Sequence, residues 1–301
     1  MNVLAIETHD LTKQFNGLTA VDHLDLAVRQ GEIFGFLGPN GAGKTTTIRM
    51  LMDIIRPDSG RIHIFGQPLA PQTLDRIGYL PEERGLYRKI KTVDCLAYLA
   101  VLKGMPRRIA RERALALLER VDLADSADKK VETMSRGMQQ KAQFVATLVH
   151  DPELLILDEP FHGLDPLNTE LLKEMVLELH EQGKTIIFST HQMNQVEALC
   201  DRILLIDHGR AVLYGPLQEI KERYAPHAVQ FRGEAIPADL PGAQRLEQQE
   251  EGIVAYLADG VTPPAFLRQL VESGAAITHY EVVTPPLEDI FIEVVERERQ
   301  R

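Results

Sequence analysis

The sequence has no tryptophan and only two cysteines, Cys95 and Cys200, in 301 residues. Two cysteines cannot form a disulfide framework, and these lack metal-ligand spacing. They read as core thiols of a protein in a reducing, cytoplasmic compartment. Basic residues are also in short supply: 33 Lys and Arg face 44 Asp and Glu, a formal charge of −11. A protein that binds nucleic acid by neutralising phosphates needs a basic face, so nucleic acid is not an expected partner. Long apolar runs are missing as well. The longest, Cys95 to Leu102, has eight residues, whereas a bilayer span takes about 20. The opening MNVLAIETHD has neither the basic start nor the apolar stretch of a secretion signal. If the chain acts at a membrane, another chain supplies the span. What remains is an ordinary globular composition, 44% hydrophobic and 26% charged, with length for a full-sized domain and a smaller one.

Glycine carries the first positive signal. Residues 38 to 47 read GPNGAGKTTT. Gly38, Gly41 and Gly43 let the backbone curl with N–H groups pointing inward, as an anion-holding turn requires. Before it, Gly31 to Leu37 is a short apolar run of the kind found in doubly buried strands. After it, Ile48, Leu51, Met52 and Ile55 have helical spacing over Thr45 to Ile55, ending before Pro57. Strand, glycine turn and helix give the context for the phosphate-binding loop G-x-x-x-x-G-K-[ST]. Its bare pattern arises by chance in roughly one chain in a hundred of this length. The loop from Gly38 through Pro39, Asn40, Gly41, Ala42 and Gly43 to Thr46 would cradle phosphates with the N–H groups of its non-proline residues. Lys44 would reach the outer phosphate oxygens and the Thr45 hydroxyl would ligate Mg²⁺.

A loop of this type needs a carboxylate for the metal. Leu154 to Leu157 run into Asp158, with Glu159 directly after. Asp158 is the candidate for holding Mg²⁺, and Glu159 for orienting and deprotonating an attacking water. Thr185 to Thr190 is a further buried-strand pattern that ends at His191, a place where parallel sheets bind ligands.

Together these motifs resemble the ATP-binding cassette of ABC transporters over about residues 4 to 220. Lys13-Gln-Phe15 resembles the A-loop, which implies that Phe15 stacks on adenine. Met134-Ser-Arg-Gly-Met138 resembles the signature, Gly163-Leu-Asp165 the D-loop and Ser189-Thr-His191 the switch histidine. The resemblance implies an ATPase of P-loop fold: a mostly parallel sheet, an antiparallel β part and a helical subdomain. It also implies that His191 steadies the γ-phosphate and that Ser135, Gly137 and Asp165 act across a head-to-tail dimer, expected to be a homodimer. The signature helix also carries Gln143, Ala146 and Thr147. Ser135 at its start suits an N-cap.

Three positions depart from the family pattern. Arg136 and Met138 replace a glycine and a glutamine of the signature. In Tyr79-Leu-Pro-Glu-Glu83, Glu82 stands where the Q-loop glutamine usually follows the proline. A carboxylate there could serve as a metal or water ligand.

The expected division is a cassette over 1–222, with its helical subdomain at about 88–150, and a small α+β domain over 225–301. Helices are expected at Val93 to Lys103, Ile109 to Val121 and after Ser135. Beyond residue 225, strands are expected at Ala228 to Phe231, Ile253 to Leu257 and Ile277 to Val283. Pro263-Pro264 and Pro285-Pro286 read as breakers, followed by helices from Phe266 and Leu287. This extension resembles that of ATPases serving ABC-2-type exporters. The implied assembly is an ATPase at the inner face of the membrane, peripheral through a separate integral-membrane permease. A soluble ATPase acting on ribosomes or DNA, an importer subunit and an ATP sensor are the alternatives, and the cargo is open.

Overall fold

The computed structural model describes residues 4–83, 85–237, 240–249 and 252–299. The chain divides into two compact units, Met1–Leu217 and Gln218–Arg301, a few residues before the expected boundary at 222–225.

The first unit runs β1 (Leu4–Phe15), β2 (Leu18–Arg29), β3 (Ile33–Leu37), α1 (Lys44–Leu51), β4 (Ser59–Ile64), β5 (Gln67–Pro68), α2 (Pro71–Leu74) and β6 (Ile77–Leu80). It continues with α3 (Thr92–Leu102), α4 (Arg107–Arg120), α5 (Arg136–Leu148), β7 (Leu154–Asp158), α6 (Pro166–Glu181), β8 (Thr185–Thr190), α7 (Met193–Leu199), β9 (Arg202–Asp207) and β10 (Arg210–Pro216). A six-stranded sheet has the order β10-β9-β3-β8-β7-β6, parallel except for the β10–β9 pair. Every residue of β3, β7 and β8 is buried, as continuous apolar strands covered on both faces should be. A second, antiparallel sheet has the order β2-β1-β4-β5. Its β1–β2 hairpin turns at Asn16 and Gly17, both at positive φ, the Asn-Gly pairing that suits tight hairpin turns.

Helix α1 is shorter than its apolar spacing predicts. It stops at Leu51 because Asp53 takes φ +53° and the amides of Ile54 and Ile55 both fold back onto the Arg49 carbonyl. Helices α3, α4 and α5 form the helical insert. The buried positions of α4, Ala110, Ala114 and Leu118, follow an i, i+4, i+8 stripe.

At the division lies α8 (Leu217–Tyr224), followed by β11 (Ala228–Glu234), β12 (Ala243–Gln249), β13 (Gly252–Leu257), α9 (Pro263–Glu272), β14 (Ala276–Val282) and α10 (Leu287–Arg299). The sheet order is β12-β13-β11-β14, all antiparallel. Its core gathers Val229, Phe231, Ala255, Leu257, Phe266 and Leu270. Pro263-Pro264 does not break this region but begins α9, with the Thr262 hydroxyl accepting the Ala265 amide at 3.4 Å. Proline's fixed φ suits a first helical turn, where its missing N–H costs nothing. In α10, Leu287, Ile290, Val294 and Val295 are buried.

Candidate functional site

Strand β3 delivers the chain into the glycine turn and α1 leaves it. Gly38 sits at φ +153°, and a Cβ there would stand 2.2 Å from the Ile206 carbonyl oxygen. Gly43 sits at φ +112°, with a Cβ position 2.5 Å from the Ala20 carbonyl oxygen. Both positions accept only glycine without backbone movement. A cavity of about 320 Å³ opens over the turn. Its floor is Pro39, Asn40, Gly41, Gly43, Lys44, Thr45 and Thr46, and its walls are Ala20, Glu82, Asp158 and Glu159. No side chain caps α1 and its first turn carries no acid, so the positive end of the helix dipole faces this region uncompensated.

Two of the expected cradle residues lie elsewhere. Gly38 does not line the cavity. Ala42 is buried in the core, and its amide donates to the Pro39 carbonyl at 3.2 Å, so its N–H is already engaged. The third threonine, Thr47, is also internal: its hydroxyl donates to the Gly43 carbonyl at 3.0 Å. Lys44 Nζ donates to the carbonyls of Gly38 and Pro39 at 2.6 and 3.1 Å. Burial pushes its pKa down, opposed by the charges of Glu159, Asp158 and Glu82.

Asp158 ends β7 and is almost wholly buried. The Ser189 hydroxyl donates to its Oδ1, while Oδ2 is buried with no hydrogen-bond partner among the described residues. Burial raises its pKa, and the charges of Glu82 and Glu159 add to that; the Ser189 and Thr45 hydroxyls oppose it. A desolvated carboxylate with an open oxygen, beside a threonine hydroxyl and two further carboxylates, is a hard-oxygen donor set that fits a divalent cation.

Glu159 follows at φ +48°. Its amide donates to the Ser189 carbonyl at 3.0 Å. Its Oε2 accepts from the Thr190 hydroxyl at 3.2 Å, and its Oε1 from the His191 amide at 3.1 Å. His191 Nδ1 lies 2.7 Å from the same Oε1. His191 therefore reaches the cavity through Glu159. Sequence reasoning missed the hydroxyls of Ser189 and Thr190 and this direct carboxylate–imidazole pair. The signal was the polar ending Ser189-Thr190-His191 on the strand that pairs with β7, with Asp158 opposite Ser189.

Phe15, Ser135, Gly137 and Asp165 are not among the residues lining the cavity. Phe15 is 44% exposed at the hairpin end of β1. Ser135 caps α5, accepting the Met138 amide at 3.3 Å. Asp165 caps α6, accepting the Asn168 amide at 3.0 Å, and that bond foremost holds its pKa down. A Cβ on Gly137 would meet only Leu164 Cδ2, at 3.7 Å. Packing within this chain does not require glycine there.

A parallel sheet feeding a glycine turn into a helix, with a buried aspartate ending the next strand but one and a glutamate directly after it, defines a P-loop nucleotide-binding protein. Residues 21–162 match the ABC transporter family, and residues 215–295 match the C-terminal domain of DrrA1-3-like ATP-binding proteins. The chain is 44% identical to the uncharacterized ABC transporter ATP-binding protein YhaQ of Bacillus subtilis, over 95% of this chain and 96% of that one. It is 35% identical to Nod factor export ATP-binding protein I of Ralstonia nicotianae, over 98% of this chain and 94% of that one. A solved ATP-binding subunit of an ABC transporter superposes with a TM-score of 0.69 at 31% identity, covering 73% of this chain and 93% of the other. The chain belongs to the ABC transporter ATP-binding proteins and is an ATPase. No helix among its described residues is long and apolar enough to cross a membrane.

Proposed function

We propose that the chain is the ATP-hydrolysing subunit of a bacterial ABC exporter, working as a cassette dimer on a separate integral-membrane permease at the inner face of the cell membrane. The observation that carries the export direction is the alignment of the Nod factor export protein over 98% of the chain, second unit included. Lys44 and the amides of the turn bind the phosphates, and Phe15 offers its ring to adenine. Thr45, Asp158 and Glu82 hold Mg²⁺, which neutralises charge on the phosphate oxygens. Glu159 orients the attacking water and accepts its proton on a carboxylate whose Oε1 faces His191 Nδ1. Ser135, Gly137 and Asp165 serve the nucleotide of the second copy, which accords with their positions outside this chain's own cavity.

A separate groove of about 360 Å³, with Met52, Tyr79, Leu99, Leu102, Ala146 and His150 on its walls, is the seat for the permease. ATP binding closes the dimer and hydrolysis reopens it. The permease follows because its two states bind the open and closed forms differently.

The test is capture of tagged Glu159→Gln from solubilised native membranes with ATP and Mg²⁺. The variant should bind ATP, turn over on the order of 10²–10⁴-fold more slowly, accumulate as a dimer and bring down a polytopic membrane protein. Ribosomal or nucleic-acid partners would overturn the export reading, and normal turnover would remove Glu159 from its role.

A further inference from the structure

Helix α5 starts at the signature serine, and one of its faces carries three glutamines. Gln139, Gln140 and Gln143 are spaced i, i+1, i+4, so the first two both neighbour the third on the helix surface. Each side-chain amide donates to backbone carbonyls of a different segment. Gln139 Nε2 reaches Val131 and Met134, at 3.2 and 2.9 Å, on the approach to Ser135. Gln140 Nε2 reaches Pro160, at 3.1 Å, just after Glu159. Gln143 Nε2 reaches Pro81 at 3.0 Å and Glu83 at 3.1 Å, the two residues that flank Glu82.

The last contact stands out on two counts. Gln143 is 3% exposed, and its Oε1 is buried with no hydrogen-bond partner among the described residues. A buried amide with an orphaned oxygen is costly, and an apolar side chain of the same shape would avoid that cost. What such a side chain could not do is hold the two carbonyls around Glu82. Glu82 itself is exposed, and its charge acts on Asp158 as a like charge. Left to electrostatics alone, an exposed glutamate facing Asp158 and Glu159 would swing into solvent. The backbone on either side of it is instead tied to a rigid helix.

We propose that Gln143 is a positioning residue that fixes the Glu82 carboxylate over the phosphate-binding turn by clamping its flanking carbonyls to α5. The role rests on the reading of Glu82 as a metal ligand. Gln143 touches neither nucleotide nor metal and acts only through the backbone of residues 81–83.

The experiment is equilibrium binding of a fluorescent, non-hydrolysable ATP analogue to the full chain, with Mg²⁺ and with EDTA. The ratio of the two affinities is the metal's contribution. Glu82→Ala, which removes the oxygen donor, should lower that ratio on the order of tenfold. Gln143→Met, of similar volume but without donors, should lower it to a similar extent and leave binding in EDTA unchanged. The double variant should be no worse than Glu82→Ala alone, because the clamp has nothing left to position. Should Gln143→Met fail to fold, Gln143→Asn keeps the amide one methylene short of the carbonyls and supports the same comparison. If Glu82→Ala leaves the ratio unchanged, the metal-ligand reading falls and the clamp falls with it. If Glu82→Ala is impaired but the Gln143 variant is normal, or if the two losses multiply in the double variant, only the positioning role is refuted.

Discussion

Replacing Asp158 by asparagine should make the nucleotide-free protein more stable and at the same time cost it the metal. The carboxylate is buried, its Oδ2 has no hydrogen-bond partner among the described residues, and its pKa is raised by burial and by its acidic neighbours. An orphaned buried polar group costs about 1–3 kcal/mol, with charged groups at the upper end. Asparagine keeps an acceptor for the Ser189 hydroxyl and puts an amide donor among carboxylates. The expected gain is therefore about 1–3 kcal/mol, which for a domain of this size raises Tm by roughly 2–10 °C. Because the folded pKa lies above the ordinary 3.8, the ionised group penalises the folded state at neutral pH. The advantage of the variant should shrink as pH falls through the folded pKa and vanish below the unfolded one. Thermal unfolding in EDTA at several pH values reads this directly. With nucleotide at a hundred times its dissociation constant, wild type should gain about 2.7 kcal/mol, and added Mg²⁺ should increase the gain only in wild type. A variant no more stable than wild type in EDTA, or one whose advantage grows on acidification, refutes the reasoning.

Further substitutions test the scaffold. Gly38→Ala places a methyl group 2.2 Å from the Ile206 carbonyl oxygen at φ +153°; it should cost at least about 1–3 kcal/mol of overpacking in urea denaturation and abolish nucleotide binding, whereas Gly137→Ala, with only a 3.7 Å neighbour, should leave stability within about 0.5 kcal/mol. Arg202→Met removes the donor that reaches buried Glu32 at 3.1 Å. Burial already raises the Glu32 pKa, with the Arg29 amide and the Arg202 charge opposing it. The stranded carboxylate should cost about 3–5 kcal/mol at neutral pH, less as acid protonates it, and Glu32→Gln in the same chain should recover much of the loss.

The phosphate-binding turn was legible because all its parts are contiguous: the apolar strand, the three glycines, Lys44 and the helix start lie within about twenty residues and each has its own local rule. Asp158 was legible for the same reason, as the end of an unbroken aliphatic run. What could not be read depends on register between distant strands. The hydroxyl of Ser189 meets Asp158 only because β7 and β8 pair in parallel with those two residues opposite. Ala42 is expected in the cradle from its place in the turn, and only the fold shows its amide spent on the Pro39 carbonyl. Strand β12 escaped because Ala243–Gln249 is polar and lies at the sheet edge, where pairing needs no apolar face. The two prolines at 263 and 264 are breakers only from the preceding side; from the following side they start a helix.

Glu159 brings these levels together. A glutamate at φ +48° is in left-handed backbone, which for a residue with a Cβ costs of order 1–3 kcal/mol and persists only where the surroundings overdetermine it. Four contacts do so: its amide on Ser189, and its carboxylate on the Thr190 hydroxyl, the His191 amide and the His191 ring. All four partners lie on the end of β8 or directly after it. The bend points the side chain across the gap between the two strand ends, so that Glu159 and Asp158, adjacent in sequence, both face the cavity while their carboxylates are held by different side chains, Thr190 and His191 for one and Ser189 for the other. Relaxing the bend with Glu159→Gly should stabilise the backbone but release the carboxylate's anchoring of His191. In the wild-type chain, then, imidazole and carboxylate are positioned as one unit, and the strain at residue 159 is the local cost of holding them so.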